Sequence, residues 1–184
     1  MIEHERISMN YKIVPLIYEE EINNRISEMA ECISRDYAGQ DIHMICVLKG
    51  GAFFMCELAK KINQDINVTI DFMAASSYGS ETHSSGNVRI VKDLDESIEG
   101  KNVIITEDII DSGRTLKSLT ELLWNRKPAS LEVCTLLDKP DRRVVDMDVK
   151  YTCFTIPDKF VVGYGLDYDQ KYRNFPYIGA VEFE

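Results

Sequence analysis

The sequence predicts a mostly parallel β-sheet flanked by helices, an α/β architecture, and three observations carry that expectation. First, the runs Ile42–Leu48 and Val103–Thr106 are almost continuously apolar, as strands are when both of their faces are covered. Second, segments of helical period alternate with these runs, so each strand is followed by an element able to cross back over the sheet. Third, glycines and charged turns punctuate the chain at the strand ends, while no Pro- or Gly-rich linker, repeat or low-complexity tract divides it. The 184 residues therefore read as a single domain, 1–184, long enough to bury a substantial core.

Taken in order, Tyr18 to Tyr37 reads as a helix, because Ile22, Ile26, Met29, Ile33 and Tyr37 recur at helical spacing between acids and Asn. Gly39 ends it. The strand Ile42–Leu48 follows, then Lys49-Gly50-Gly51, then a helix over Ala52 to Ile62. Asn67 to Met73 alternates, with Val68, Ile70 and Phe72 set against Thr69 and Asp71, and predicts another strand. Residues 74–87 offer little to bury and read as a loop. Val103–Thr106 is the next strand, followed by an acidic turn and a helix from about Thr115 to Asn125. A strand over Leu131 to Leu137 and short strands near Tyr151–Thr155 and Phe160–Gly163 complete the pattern.

Composition narrows the function. A hydrophobic fraction of 45% is that of a globular protein, and 21 basic against 31 acidic residues give a formal charge of −10. Such a surface repels phosphate backbones and anionic lipid, which argues against nucleic acid or membrane as the main partner. An anionic substrate would need a local basic or metal-containing pocket. The five cysteines are odd in number and lack Cys-x-x-Cys spacing, so reduced thiols are expected rather than disulfides or zinc. His4, His43 and His83 show no metal-ligand spacing. The opening Met1-Ile2-Glu3-His4-Glu5-Arg6 is no secretory leader, and no apolar run could span a bilayer; a cytoplasmic protein is the expectation.

One segment concentrates the chemistry: Val103-Ile104-Ile105-Thr106-Glu107-Asp108-Ile109-Ile110-Asp111-Ser112-Gly113-Arg114-Thr115. In parallel α/β sheets ligands bind beyond the carboxyl ends of the strands, where this turn must lie. Ser112, Gly113 and Thr115 offer hydroxyls and unhindered N–H groups at a helix N-terminus, an arrangement suited to a phosphate monoester. Glu107 and Asp108 repel phosphate but accept hydrogen bonds from vicinal sugar hydroxyls. Together they match the two ends of a ribose 5-phosphate. An Asp or Ser at this place is commonly just a helix cap; the full pattern of apolar strand, Glu-Asp, apolar pair and Asp-Ser-Gly-x-Thr is far more specific than any cap.

In this pattern the sequence resembles the type I phosphoribosyltransferases, and within them the hypoxanthine (hypoxanthine-guanine) branch of purine salvage, over about Ile42 to Val181. The resemblance implies the fold of that family, with a small hood formed by the N- and C-terminal segments. It implies transfer of a 5-phosphoribosyl group from phosphoribosyl pyrophosphate to a 6-oxopurine, with Mg²⁺ as cofactor and a homodimer or homotetramer as the assembly. Leu48-Lys49-Gly50-Gly51 matches the family loop that contacts pyrophosphate, with a cis peptide before Lys49. Ser77-Tyr78-Gly79 matches the start of its lid. Lys139, in Leu136-Leu137-Asp138-Lys139-Pro140, falls where the family lysine donates to the purine O6, a choice that disfavours a 6-amino group. Within Phe160-Val161-Val162-Gly163-Tyr164-Gly165-Leu166-Asp167-Tyr168, Phe160 would stack on the base, Val161 would offer its backbone to the base edge, and Asp167 would help Glu107 and Asp108 hold the metal.

Arg173 matches the arginine that clamps pyrophosphate, together with Lys49 and Gly50. The phosphoribosyl-binding set becomes Glu107, Asp108, Asp111, Ser112, Gly113, Arg114 and Thr115, with Asp111 assigned to proton transfer at N7 of the base. Gly163-Tyr164-Gly165 is no dinucleotide fingerprint, since Tyr168 stands where a third glycine belongs, and no P-loop signature occurs. The competing expectation is a non-catalytic regulator that keeps the phosphoribosyl loop and binds RNA or DNA; it would need a basic face, which the net charge opposes. An enzyme using xanthine or a pyrimidine is a further alternative.

Overall fold

The computed structural model describes residues 11–77 and 88–183. Its elements in chain order are β1 (Tyr11–Ile17), α1 (Glu19–Asp36), β2 (Ile42–Val47), α2 (Gly51–Lys61), β3 (Val68–Ser77), β4 (Val88–Lys92), β5 (Asn102–Ile110), α3 (Arg114–Trp124), β6 (Ser130–Asp138), β7 (Tyr151–Thr155), β8 (Val161–Val162) and β9 (Ile178–Phe183), with one 3-10 turn at Pro140–Arg142. Six strands form the main sheet in the order β4-β3-β2-β5-β6-β7. All neighbouring pairs are parallel except β3 with β4. The expected mostly parallel architecture is what forms.

Alternation along the central strands decides which core each residue joins. Met44, Cys46, Ile104, Cys134 and Leu136 face α1 and α2, whose Ile22, Ile26, Ile33, Phe54, Met55 and Leu58 are fully buried. Ile45, Val47, Val103, Ile105 and Val133 face the other way, onto Leu116, Leu119 and Leu123 of α3. A sheet covered on both sides has no solvated face, hence the unbroken apolar runs. Helix α1 opens with Glu21 accepting from the Tyr18 backbone N–H at 2.9 Å, half of a capping box. Its Arg25 donates to the backbone carbonyls of Thr152 and Cys153 at 3.0 and 2.8 Å, fastening the helix to the edge strand β7.

A second, three-stranded antiparallel sheet, β1-β9-β8, joins both ends of the described chain into the expected hood. Three findings amend the sequence reading. Residues 74–77 prolong β3 instead of opening a loop, and Ser77 pairs with Val88; Tyr78 and the rest of the expected lid lie outside the described residues. Strand β5 runs on through Ile110, so Glu107 and Asp108 belong to the strand and not to a turn after it. Pairing with β6 continues through Ile110↔Asp138, which supplies the ladder that carries the acidic pair. Finally, β1, β4 and β9 were not anticipated. Of the five free cysteines, Cys46, Cys134 and Cys153 are buried, Cys32 is partly exposed and Cys56 is exposed. No helix among the described residues is long and apolar enough to cross a membrane.

Candidate active site

The carboxyl ends of β2, β3 and β5 open on a cleft of about 260 Å³ lined by Leu48, Ala75, Glu107, Asp111, Ser112, Gly113 and Thr115, among others. The chain leaves β5 at Ile110 and enters α3 at Arg114, and Gly113 makes the corner with φ +77°. That conformation favours glycine. It starts α3 beside the cleft, with first-turn N–H groups that the helix itself leaves unbonded. The Arg114 N–H is met by Ser112 Oγ at 3.4 Å. Ser112, Gly113 and Thr115 line the cleft, and Arg114 lies between them in the same turn without being part of that lining.

Glu107 and Asp108 arrive on successive residues of β5, and their carboxyls act on each other directly. Glu107 keeps some exposure as a residue, yet its Oε2 is buried without a hydrogen-bond partner. Burial, with Asp108 repelling it, holds the Glu107 carboxyl well above the usual range. Burial pushes Asp108 up as well, against the hydrogen bond from the Ile109 N–H. Arg173 offsets part of the Asp108 charge, yet both carboxyls stay raised, so the pair favours a donor or a cation that comes with a ligand. Gly50 packs directly on Asp108, and a Cβ there would stand 1.5 Å from its Oδ2. The peptide before Lys49 is cis, as the resemblance implied.

Asp111 and Lys139 meet across the strand ends. Register Ile110↔Asp138 and the Lys139 N–H to Ile110 carbonyl bond at 3.0 Å set them side by side. Lys139 Nζ lies 3.3 Å from Asp111 Oδ1 and 4.0 Å from Asp158. Lys139 is 5% exposed. The approach to Asp111 is an ion pair without hydrogen-bond geometry, and Asp111 Oδ1 remains buried and unbonded.

The remaining residues form a second group on the hood side. Arg173 holds Asp167 at 2.7 Å and donates to the Gly165 carbonyl at 2.6 Å. Lys49 Nζ and Arg173 both donate to Gln170 Oε1, at 3.2 and 3.3 Å. Gln170, unsuspected in the sequence, therefore gathers the two cations expected at pyrophosphate. Phe160 is 46% exposed, its ring held edge-on by Tyr168 with centroids 5.4 Å apart. Val161 is buried in β8, paired with Ala180. Among the described residues no three His, Cys, Asp or Glu side chains converge into a metal cluster, so Asp167 does not join Glu107 and Asp108 in one cage.

The wider comparison agrees with this arrangement. Residues 17–169 match the family described as Phosphoribosyl transferase domain. The chain is 52% identical over 169 residues to a Staphylococcus aureus hypoxanthine-guanine phosphoribosyltransferase, covering 92% of this chain and 93% of that protein. It is 48% identical, over the same shares of the two chains, to the protein of that name from Streptococcus thermophilus. Among solved structures, a hypoxanthine-guanine phosphoribosyltransferase from Bacillus anthracis superposes with a TM-score of 0.86 at 48% identity, covering 94% of this chain and all of the other. A hypoxanthine phosphoribosyltransferase from S. aureus superposes with a TM-score of 0.87 at 52% identity, with 91% and 90% covered. With the acidic strand end, the glycine-cornered turn and the hood all present in one chain that these relatives cover almost end to end, the protein belongs to the phosphoribosyltransferase family.

Proposed function

We propose that this chain is a purine-salvage enzyme that moves the 5-phosphoribosyl group from phosphoribosyl pyrophosphate to hypoxanthine, and to guanine, giving IMP or GMP and pyrophosphate. The observation that carries the reading is the parallel register that sets Lys139 beside Asp111 at the mouth of the phosphate-turn cleft. A base read through its 6-oxo group by Lys139 then has its imidazole side near Asp111. Asp111 takes the proton from N7 as N9 attacks C1 of the ribose, and returns one in the reverse direction. Its unbonded Oδ1 is the atom available for that proton.

The turn Ser112 to Thr115 grips the 5-phosphate through hydroxyls and backbone N–H groups. Glu107 and Asp108 hold the ribose hydroxyls. Phe160 stacks on the base and Val161 meets its edge. Lys49, Gly50 and Arg173 receive pyrophosphate, and Ser77 and Tyr78 begin the lid that excludes water from the reacting carbon. The unpartnered Glu107 oxygen and the raised carboxyls fit a cation that arrives with the substrate, and Asp167 would complete its ligands after parting from Arg173. Mg²⁺, when bound, offsets charge on the departing pyrophosphate. The chain works as one domain, 1–184, in the cytoplasm, in assemblies of two or four copies.

The deciding experiment is a base panel. Purified protein is supplied with phosphoribosyl pyrophosphate and Mg²⁺, and nucleotide formation is followed with hypoxanthine, guanine, xanthine, adenine and uracil. Turnover of hypoxanthine and guanine with adenine and uracil inert is expected; inactivity with every purine overturns the reading.

A further inference from the structure

Arg143 stands outside every role assigned so far, yet it touches both halves of the site. Its guanidinium pairs with Asp138, and the two side chains are only 16% and 17% exposed. Its Nε donates to the backbone carbonyl of Asp111 at 3.4 Å. Its Cδ lies 2.9 Å from where a Cβ of Gly113 would stand, so it covers the outer side of the phosphate-turn corner. The chain beyond it continues the cover, with the Val144 N–H donating to the Ser112 carbonyl at 3.1 Å.

Asp138 immediately precedes Lys139 and pairs in register with Ile110, which immediately precedes Asp111. A nearly dry ion pair is expensive to desolvate and is justified only by good geometry and further hydrogen bonds. Here the added bond goes to the backbone of a proposed catalytic residue. We propose that Asp138 and Arg143 are positioning residues: a brace that holds the phosphate-gripping turn and the base-reading lysine at one fixed separation. A glycine corner has no side chain of its own to restrict it, and Arg143 supplies the missing constraint from outside. The inference rests on the functional reading above.

The test compares wild type, Arg143→Met, Asp138→Leu and the double variant in steady-state kinetics, with calorimetric binding of ribose 5-phosphate as a second readout. Arg143→Met is expected to raise the KM for phosphoribosyl pyrophosphate about tenfold and to weaken ribose 5-phosphate by a similar factor, and the double variant is expected to be no worse than Arg143→Met alone. Simple loss of stability would leave the KM of the folded fraction unchanged. If Arg143→Met does not fold, Arg143→Lys serves: it keeps the charge but loses the Nε that reaches Asp111, and a rise of about threefold is expected. Unchanged KM and ribose 5-phosphate affinity, or effects of the two single variants that multiply, overturn the brace. If wild type itself neither binds ribose 5-phosphate nor turns over, the functional reading fails, and the brace with it.

Discussion

Glu107 illustrates how a single residue can work against the fold that holds it. Its carboxyl binds a proton more tightly folded than unfolded, because burial and Asp108 disfavour the charge. The linkage sign follows: the penalty is absent below the ordinary glutamate value of about 4.3, grows as pH rises past it, and is complete above the raised folded value. Glu107→Gln should therefore raise the melting midpoint of the ligand-free protein at pH 7.5 by about 2 °C or more, with the gain fading towards pH 4 and with transfer activity lost. A midpoint that is unchanged or lower at pH 7.5 would contradict the buried charge. Lys139→Gln addresses selectivity: an amide can donate to an oxo group or accept from an amino group, so the preference for 6-oxo over 6-amino purines should fall about tenfold in a competition assay. At this scale the sequence was informative wherever a local motif held the residue, as at Glu107, Asp111 and Thr115. Gln170 and Arg143 were hidden because their meaning comes from partners far away in the chain, Lys49 for one and the Asp111 carbonyl for the other.

Among the elements, α1 was readable because its apolar stripe is strict, and Ile22, Ile26 and Ile33 are indeed fully buried. Ile26→Ala should cost about 2–5 kcal/mol, measured by urea unfolding, with KM values unaltered in the folded protein. The central strands were readable for the complementary reason, since burial on both faces leaves a run without polar residues. Strand β1 escaped because Lys12 and Pro15 interrupt it, and Pro15 is tolerated where a strand has a free edge. Strand β9 escaped because Gly179 and Ala180 weaken its strand signal. Gly179 is there for room: a Cβ on it would lie 2.4 Å from the Ile13 side chain. The end of β5 was misjudged on charge. Successive acids read as a turn, yet the β6 ladder beside them outweighs that local preference.

Across the whole molecule, the main sheet and the hood meet at backbone. Gly165, at φ +99°, lies so close to the Lys49–Gly50 loop that a Cβ on it would stand 2.1 Å from the Gly50 carbonyl oxygen, while Gly50 in turn rests on Asp108. A methyl group at Gly165 must push the hood away from the sheet. Gly165→Ala should therefore lower kcat/KM for phosphoribosyl pyrophosphate by about a hundredfold or more, read in initial-rate assays, with far-UV circular dichroism retained. This seam was invisible in the sequence, where Gly163-Tyr164-Gly165 could suggest a nucleotide fingerprint and the need for close approach appears only once the two sheets are docked.

The Asp167–Arg173 contact gives the resting protein an internal stand-in for its ligand, a carboxylate where an anion would go and a guanidinium where a positive ion would go. A lone anion recruiting Arg173 would strand Asp167, and a lone cation recruiting Asp167 would strand Arg173. Only a neutralised couple, metal and pyrophosphoryl group together, lets both side chains exchange partners without leaving a charge behind. On the function proposed above, substrate recognition at this end is a double displacement, and saturation by either ion should depend steeply on the concentration of the other.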